Sequence, residues 1–144
     1  MERELEGRTA LLVEGARRVG KSTIAEKFAR ENYRSYVIID FATASKVIKD
    51  NFEDNLTNLD RFFQIISLEY GTRLFPRESL IVFDEVQKFP KARESIKYLV
   101  ADGRYDFIET GSLISCTWAL WTSSLRYPFA WSCSTCLLYT SDAA

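Results

Sequence analysis

The sequence predicts an α/β protein whose mostly parallel sheet is covered by helices on both faces. Three observations carry this expectation. Four short apolar runs recur along the first 115 residues, segments with helical patterning lie between them, and the loop after the first run ends in Gly-Lys-Ser. Strands separated by helical crossovers return the chain to the same end of the sheet, which makes neighbouring strands parallel.

The first strand is Thr9 to Val13, Thr-Ala-Leu-Leu-Val between Arg8 and Glu14, apolar enough to be buried on both faces. Gly15 to Gly20 is a loop, and Lys21 to Asn32 follows as a helix with Ile24, Ala25, Phe28 and Ala29 on its apolar face. Tyr36 to Ile39, closed by Asp40, is the second strand, its Val and Ile suited to the pleat. Asp40 reads as a cap between strand and helix. From Asp54 to Tyr70 the residues Leu56, Leu59, Phe63, Ile66 and Tyr70 form one stripe of an amphipathic helix. Leu80 to Phe83 is the third strand and ends in Asp84-Glu85. Pro90 suits the first turn of a helix carrying Ala92, Ile96 and Leu99 on one face. Asp106 to Thr110 is the fourth strand, ending in Thr110-Gly111-Ser112.

Gly15-Ala-Arg-Arg-Val-Gly20-Lys21-Ser22 fits the phosphate-loop pattern GxxxxGK[ST] and stands between a strand and a helix, the context that pattern requires. Gly15 and Gly20 allow backbone conformations closed to residues with a Cβ, so that successive N–H groups can cradle an anion. Lys21 adds a full positive charge to the helix N-terminus for β and γ phosphates, and the Ser22 hydroxyl can ligate Mg²⁺. Arg17 and Arg18 inside the loop can touch phosphate, but variable loop positions of this kind are more often solvated. At the end of the third strand, Asp84 can hold the magnesium, usually through water, and Glu85 can polarise the water that attacks a γ-phosphate. Neighbouring side chains on a strand point opposite ways, so only one of the two carboxylates can face the metal directly.

With these two motifs, residues 1–115 resemble the P-loop NTPases of the additional-strand, catalytic-glutamate division. More narrowly, they are similar to the AAA-type ATPase domain of a prokaryotic family whose Walker B strand ends in Asp-Glu-hydrophobic-Gln, here Asp84-Glu85-Val86-Gln87. The resemblance implies a three-layer αβα P-loop NTPase that binds ATP with Mg²⁺. It implies a Walker A loop of Gly15, Ala16, Arg17, Arg18, Val19, Gly20, Lys21, Ser22 and Thr23, with Ser22 and Asp84 on the metal, Lys21 on the phosphates and Glu85 as general base. Thr110-Gly111-Ser112 looks like the family's sensor-1 segment, on a strand lying between the Walker A and Walker B strands. A hydroxyl there, Ser112 ahead of Thr110, would report on the γ-phosphate. Homo-oligomeric contacts and a further C-terminal domain belong to the same family picture. Gln87 and Lys88 have no role that the sequence defines.

Composition removes other chemistry. The chain of 144 residues contains no His, so no His triad, His base or His-ligated metal is available. Its net charge of −1 lacks the basic excess of proteins held to nucleic acid by charge. The N-terminus has no apolar stretch of a signal peptide, and the expectation is a cytoplasmic protein without a membrane partner. A GTPase is disfavoured because Glu-Val-Gln follows Asp84 and no Asn-Lys-x-Asp occurs, and no Arg-rich lid of a small-molecule kinase is visible.

The composition breaks near Ser115. All three Cys and all three Trp lie beyond it, whereas only Arg126 and Asp142 are charged there. Cys133-Ser-Thr-Cys136 has the spacing of a zinc half-site, but Cys116 is the only further thiol and four ligands cannot be assembled. The expectation is a truncated ATPase domain over residues 1–115 and, over residues 116–144, a non-family tail of frameshift or sequencing-artefact origin. Such a sheet would lack the strand expected after Ser112, leaving one edge open, the fold poorly stable and nucleotide weakly bound. Two functions follow: ATP hydrolysis, or a nucleotide-binding switch or truncated module without turnover. The client, nucleic acid or protein, is not legible.

Overall fold

The structure, a computed structural model, describes residues 9–16, 18–112, 131–133 and 136–142. Its centre is a six-stranded sheet in the order β2-β3-β4-β1-β6-β5. The strands are β1 (Thr9–Gly15), β2 (Ser35–Asp40), β3 (Ser79–Asp84), β4 (Asp106–Ser112), β5 (Trp131–Cys133) and β6 (Cys136–Asp142). The first four run parallel, with β4 inserted between β1 and β3. Four helices flank them: α1 (Lys21–Asn32), α2 (Lys46–Asp54), α3 (Leu59–Glu69) and α4 (Pro90–Asp102). The predicted fold class is thus borne out, including the position of β4.

The sheet, expected to lack a strand after Ser112 and to be left open at one edge, has a further strand beside β1. β6 pairs antiparallel with β1 along its whole length, from Thr9 opposite Asp142 to Gly15 opposite Cys136. β5 pairs in turn with β6, setting Cys133 opposite Cys136. Cys136-Leu-Leu-Tyr-Thr-Ser-Asp supplies apolar, aromatic and β-branched residues that suit a strand.

Helices cover the sheet unequally. Val13, Leu80, Val82 and Ile108 face α1, whose Ala25 and Ala29 are buried against them. Ile24 and Phe28, expected on that inward face, are 60% and 43% exposed. Small alanines let the helix lie close to the sheet, and the larger side chains are turned outward. The opposite face holds the larger core under α2, α3 and α4. Phe41, Phe52, Phe62 and Phe83 meet there edge to face, with ring centroids 4.9 to 5.5 Å apart. Truncating one such phenylalanine to Ala typically costs about 3–5 kcal/mol.

The single helix expected from Asp54 to Tyr70 is also corrected. The chain turns at residues 55–58, and Asn58 caps a shorter α3 by accepting from the Arg61 N–H at 3.2 Å. Leu56 sits in that turn and packs against the same core, which is why it falls in register with the helical stripe. The helix α2 before it was not expected. Ser45 caps it, accepting from Ile48 N–H at 3.3 Å, and Ile48, Asn51 and Phe52 form its buried face. Asn51 is satisfied inside by donating to the Phe62 carbonyl at 3.0 Å. Asp40 holds the turn after β2, accepting from the Ala42 N–H and the Thr43 hydroxyl, and caps no helix. Among the described residues no helix is long and apolar enough to cross a membrane.

Candidate phosphate-binding site

The carboxyl ends of β1, β3 and β4 lie side by side, and every described candidate residue sits at that end of the sheet. In open parallel sheets this is where ligands bind. Gly15 is the last residue of β1, paired with Ser112 of β4, so its place is in the strand and not in the loop. The positive φ angles of the loop are carried by Arg18 (63°) and Gly20 (87°). A Cβ on Gly20 would meet nothing within 4 Å, so its glycine is required by backbone conformation and not by space. Arg18 and Ala16 are exposed, and Arg17 lies outside the described residues.

Gly20 begins α1 without a side-chain cap, and the first turn contains no acidic residue. The contrast with α2 and α3, capped by Ser45 and Asn58, is informative. The first-turn N–H groups of α1 have no side-chain oxygen to satisfy them, and the positive end of the helix dipole is not offset by a local carboxylate. Anions are drawn to such an end. Lys21 is 5% exposed. Its ammonium donates to the carbonyls of Gly15 at 3.0 Å and Ala16 at 2.6 Å, which holds the charge against the loop. Thr23 is exposed on the same turn.

Ser22 points across the sheet end to β3, where its hydroxyl donates to Asp84 Oδ1 at 2.7 Å. The Thr110 hydroxyl donates to the same carboxylate oxygen. Asp84 therefore joins α1, β3 and β4 in one hydrogen-bonded cluster, 9% exposed. Glu85 follows with φ 54° and ψ 42°, a left-handed conformation unusual for a residue with a Cβ. That bend starts the 3-10 turn Val86–Lys88 and takes Glu85 off the strand path, out of the simple alternation expected from sequence. Its N–H donates to Thr110 Oγ1 at 3.3 Å. Ser112 is 5% exposed, and its hydroxyl has no partner among the described residues. Of the two candidate hydroxyls, then, Thr110 is engaged with Asp84 and Ser112 is not.

A buried charged group beside the site escaped sequence reasoning. Glu14 on β1 and Glu109 on β4 face α4, and Arg93 of α4 reaches Glu109 Oε2 at 3.0 Å. Glu109 Oε1 has no partner among the described residues. Burial pushes the Glu109 carboxyl up to about 7; the Arg93 guanidinium opposes this and Glu14 adds to it. Burial also raises Glu14, again against the pull of Arg93. The available signal was a glutamate interrupting each of two strand-like apolar runs, Leu-Val-Glu14 and Phe-Ile-Glu109. Gln87, present in the Asp-Glu-hydrophobic-Gln motif but without a role defined by the sequence, is bonded to Glu85.

No curated protein matches the chain. A family model described as AAA domain matches residues 7–125, a span that takes in β1 to β4, the glycine loop and both carboxylates of the Asp84-Glu85 pair. Domains of this family are associated with nucleotide binding. With well over half its length matched, the chain belongs to the AAA domain family, a family of P-loop NTPases.

Proposed function

We propose that the chain binds ATP together with Mg²⁺ and hydrolyses it by attack of water on the γ-phosphate. The observation that carries this is the bond between Ser22 and Asp84. It brings a hydroxyl from the phosphate loop and a carboxylate from β3 to within 2.7 Å of each other, at the uncapped N-terminus of α1. A hydroxyl and a carboxylate oxygen are the hard donors that Mg²⁺ takes, so the residues present fit the ion, and Ser22 and Asp84 would hold it. When bound, the ion supplies charge neutralisation across the β and γ phosphates.

The remaining work falls to the chain itself. The first-turn N–H groups of α1 bind phosphate oxygens, and Lys21 adds a charge already ordered by two carbonyls. Thr110 fixes the rotamer of Asp84 through its hydroxyl. Glu85 orients the attacking water and accepts its proton on a carboxylate oxygen, leaving ADP and inorganic phosphate. Phosphate release from the 144-residue chain and from Glu85→Gln tests this. Release by the first and a fall of about a hundredfold or more in the second supports Glu85 as base. Equal release removes Glu85 from the mechanism. Tight ATP binding with no release from either protein would make the chain a nucleotide-binding module without turnover.

A further inference from the structure

We propose that Gln87 is a positioning residue whose side-chain amide ties the Glu85 carboxylate to the end of β4. The inference rests on Glu85 acting as the base. Gln87 stands two residues after Glu85 in the 3-10 turn, and its amide uses both ends. Nε2 donates to Glu85 Oε2, and Oε1 accepts from the Ser112 N–H at 3.4 Å. The main chain of Glu85 is tied to the same strand, since its N–H donates to Thr110 Oγ1 at 3.3 Å.

Two neighbouring groups of β4 thus hold one residue by its backbone and its carboxylate. The turn that presents Gln87 is itself fixed. Lys88 N–H donates to the Glu85 carbonyl at 2.9 Å, Phe89 N–H to the Val86 carbonyl at 3.1 Å, and Val86 is fully buried in the core. A free glutamate side chain samples many rotamers, and a base displaced by about 1 Å can cost a hundredfold in rate. The amide removes that freedom. Glu85 therefore follows any movement of the Thr110-Gly111-Ser112 segment, because the base and the strand end share a hydrogen-bonded clamp.

The test uses Gln87→Met, of similar length but without an amide, and Gln87→Glu, which keeps an acceptor for Ser112 but loses the donor to Glu85. Neither changes Lys21, Ser22 or Asp84, so KM for ATP is expected to stay within about twofold of the parent while kcat falls by about tenfold or more in both. Unchanged kcat in Gln87→Met overturns the proposal, and so does full activity in Gln87→Glu, since the link to Ser112 alone would then suffice. A rise in KM that matches the fall in kcat/KM, with kcat constant, also overturns it, by assigning Gln87 to nucleotide binding. The Gln87 side-chain amide resonances report the clamp without turnover. They are expected to move in Glu85→Ala, and unmoved resonances overturn the contact. Absence of phosphate release from the parent chain would sink hydrolysis and the positioning role with it, whereas the resonances would still report separately whether the bond exists.

Discussion

Replacing Glu109 with Gln is expected to stabilise the protein above neutral pH and to leave it nearly unchanged in mild acid. Glu109 is 2% exposed, one oxygen on Arg93 and the other without a partner among the described residues. Its carboxyl is raised from an ordinary value of 4.5 to about 7, with burial the largest cause. The folded chain therefore holds this proton more tightly than the unfolded chain does. Below about pH 4.5 both forms are protonated and the favourable contribution is complete. Between 4.5 and 7 the unfolded carboxyl ionises while the folded one resists, so stability falls as pH rises. Above 7 both are ionised and the loss is complete. The interval of about 2.5 pH units corresponds to about 3 kcal/mol. Loss of the Arg93 ion pair works against the substitution. The Arg93 side chain is 21% exposed, however, and can recover hydration, whereas the Glu109 carboxylate cannot. Urea unfolding of both proteins from pH 4.5 to 8 gives the difference directly, with equal slopes confirming that the same transition is compared. The expected curve is near zero at the acid end and reaches about 3 kcal/mol in favour of Glu109→Gln at pH 8. A flat difference, or a parent chain that gains on the variant as pH rises, would refute burial as the controlling effect.

Two backbone predictions follow from the same end of the sheet. Glu85→Gly is expected to raise stability by about 1 kcal/mol, because glycine tolerates the left-handed conformation that Glu85 adopts at φ 54°, and to abolish phosphate release. Thermal unfolding beside a release assay checks both halves, and loss of stability would show that the Glu85 side chain stabilises more than its backbone costs. Gly20→Ala is expected to lower stability by about 1–2 kcal/mol although the added methyl meets open space, since φ is 87° there. Gly20→Asn, which tolerates that region better, is expected to recover part of the loss by the same measurement.

The elements legible from sequence were those whose signal is local. Four apolar runs became four parallel strands, and Gly-Lys-Ser between a strand and a helix led to the cluster at the carboxyl ends. The second helix was hidden because its inward face includes Asn51, a polar residue whose amide N–H is satisfied by the carbonyl of Phe62, eleven positions later. Ser45 three residues before Ile48 was the one available cue. Ile24 and Phe28 misled because hydrophobicity marks a face without saying that the sheet there leaves room only for alanine. The tie from Gln87 to Ser112 and the Glu14, Arg93 and Glu109 group depend on contacts between elements distant in sequence, and no periodicity encodes them.

The insertion of β4 between β1 and β3 has a consequence for the order in which the molecule can be made. β1 and β3 are not neighbours in the sheet, and the strand that joins them, β4, comes after β1, β2 and β3 in the chain and is therefore the last of the four parallel strands to leave the ribosome. Until it arrives, β2 and β3 can pair but β1 has no parallel partner, and Asp84 lacks the Thr110 hydroxyl that helps hold it. The closure spans distant segments and forms late, as contacts of high sequence separation do. A ligand that recognises the assembled cluster therefore binds finished chains and passes over nascent ones, and mass action makes it a selective stabiliser of molecules that have completed their topology.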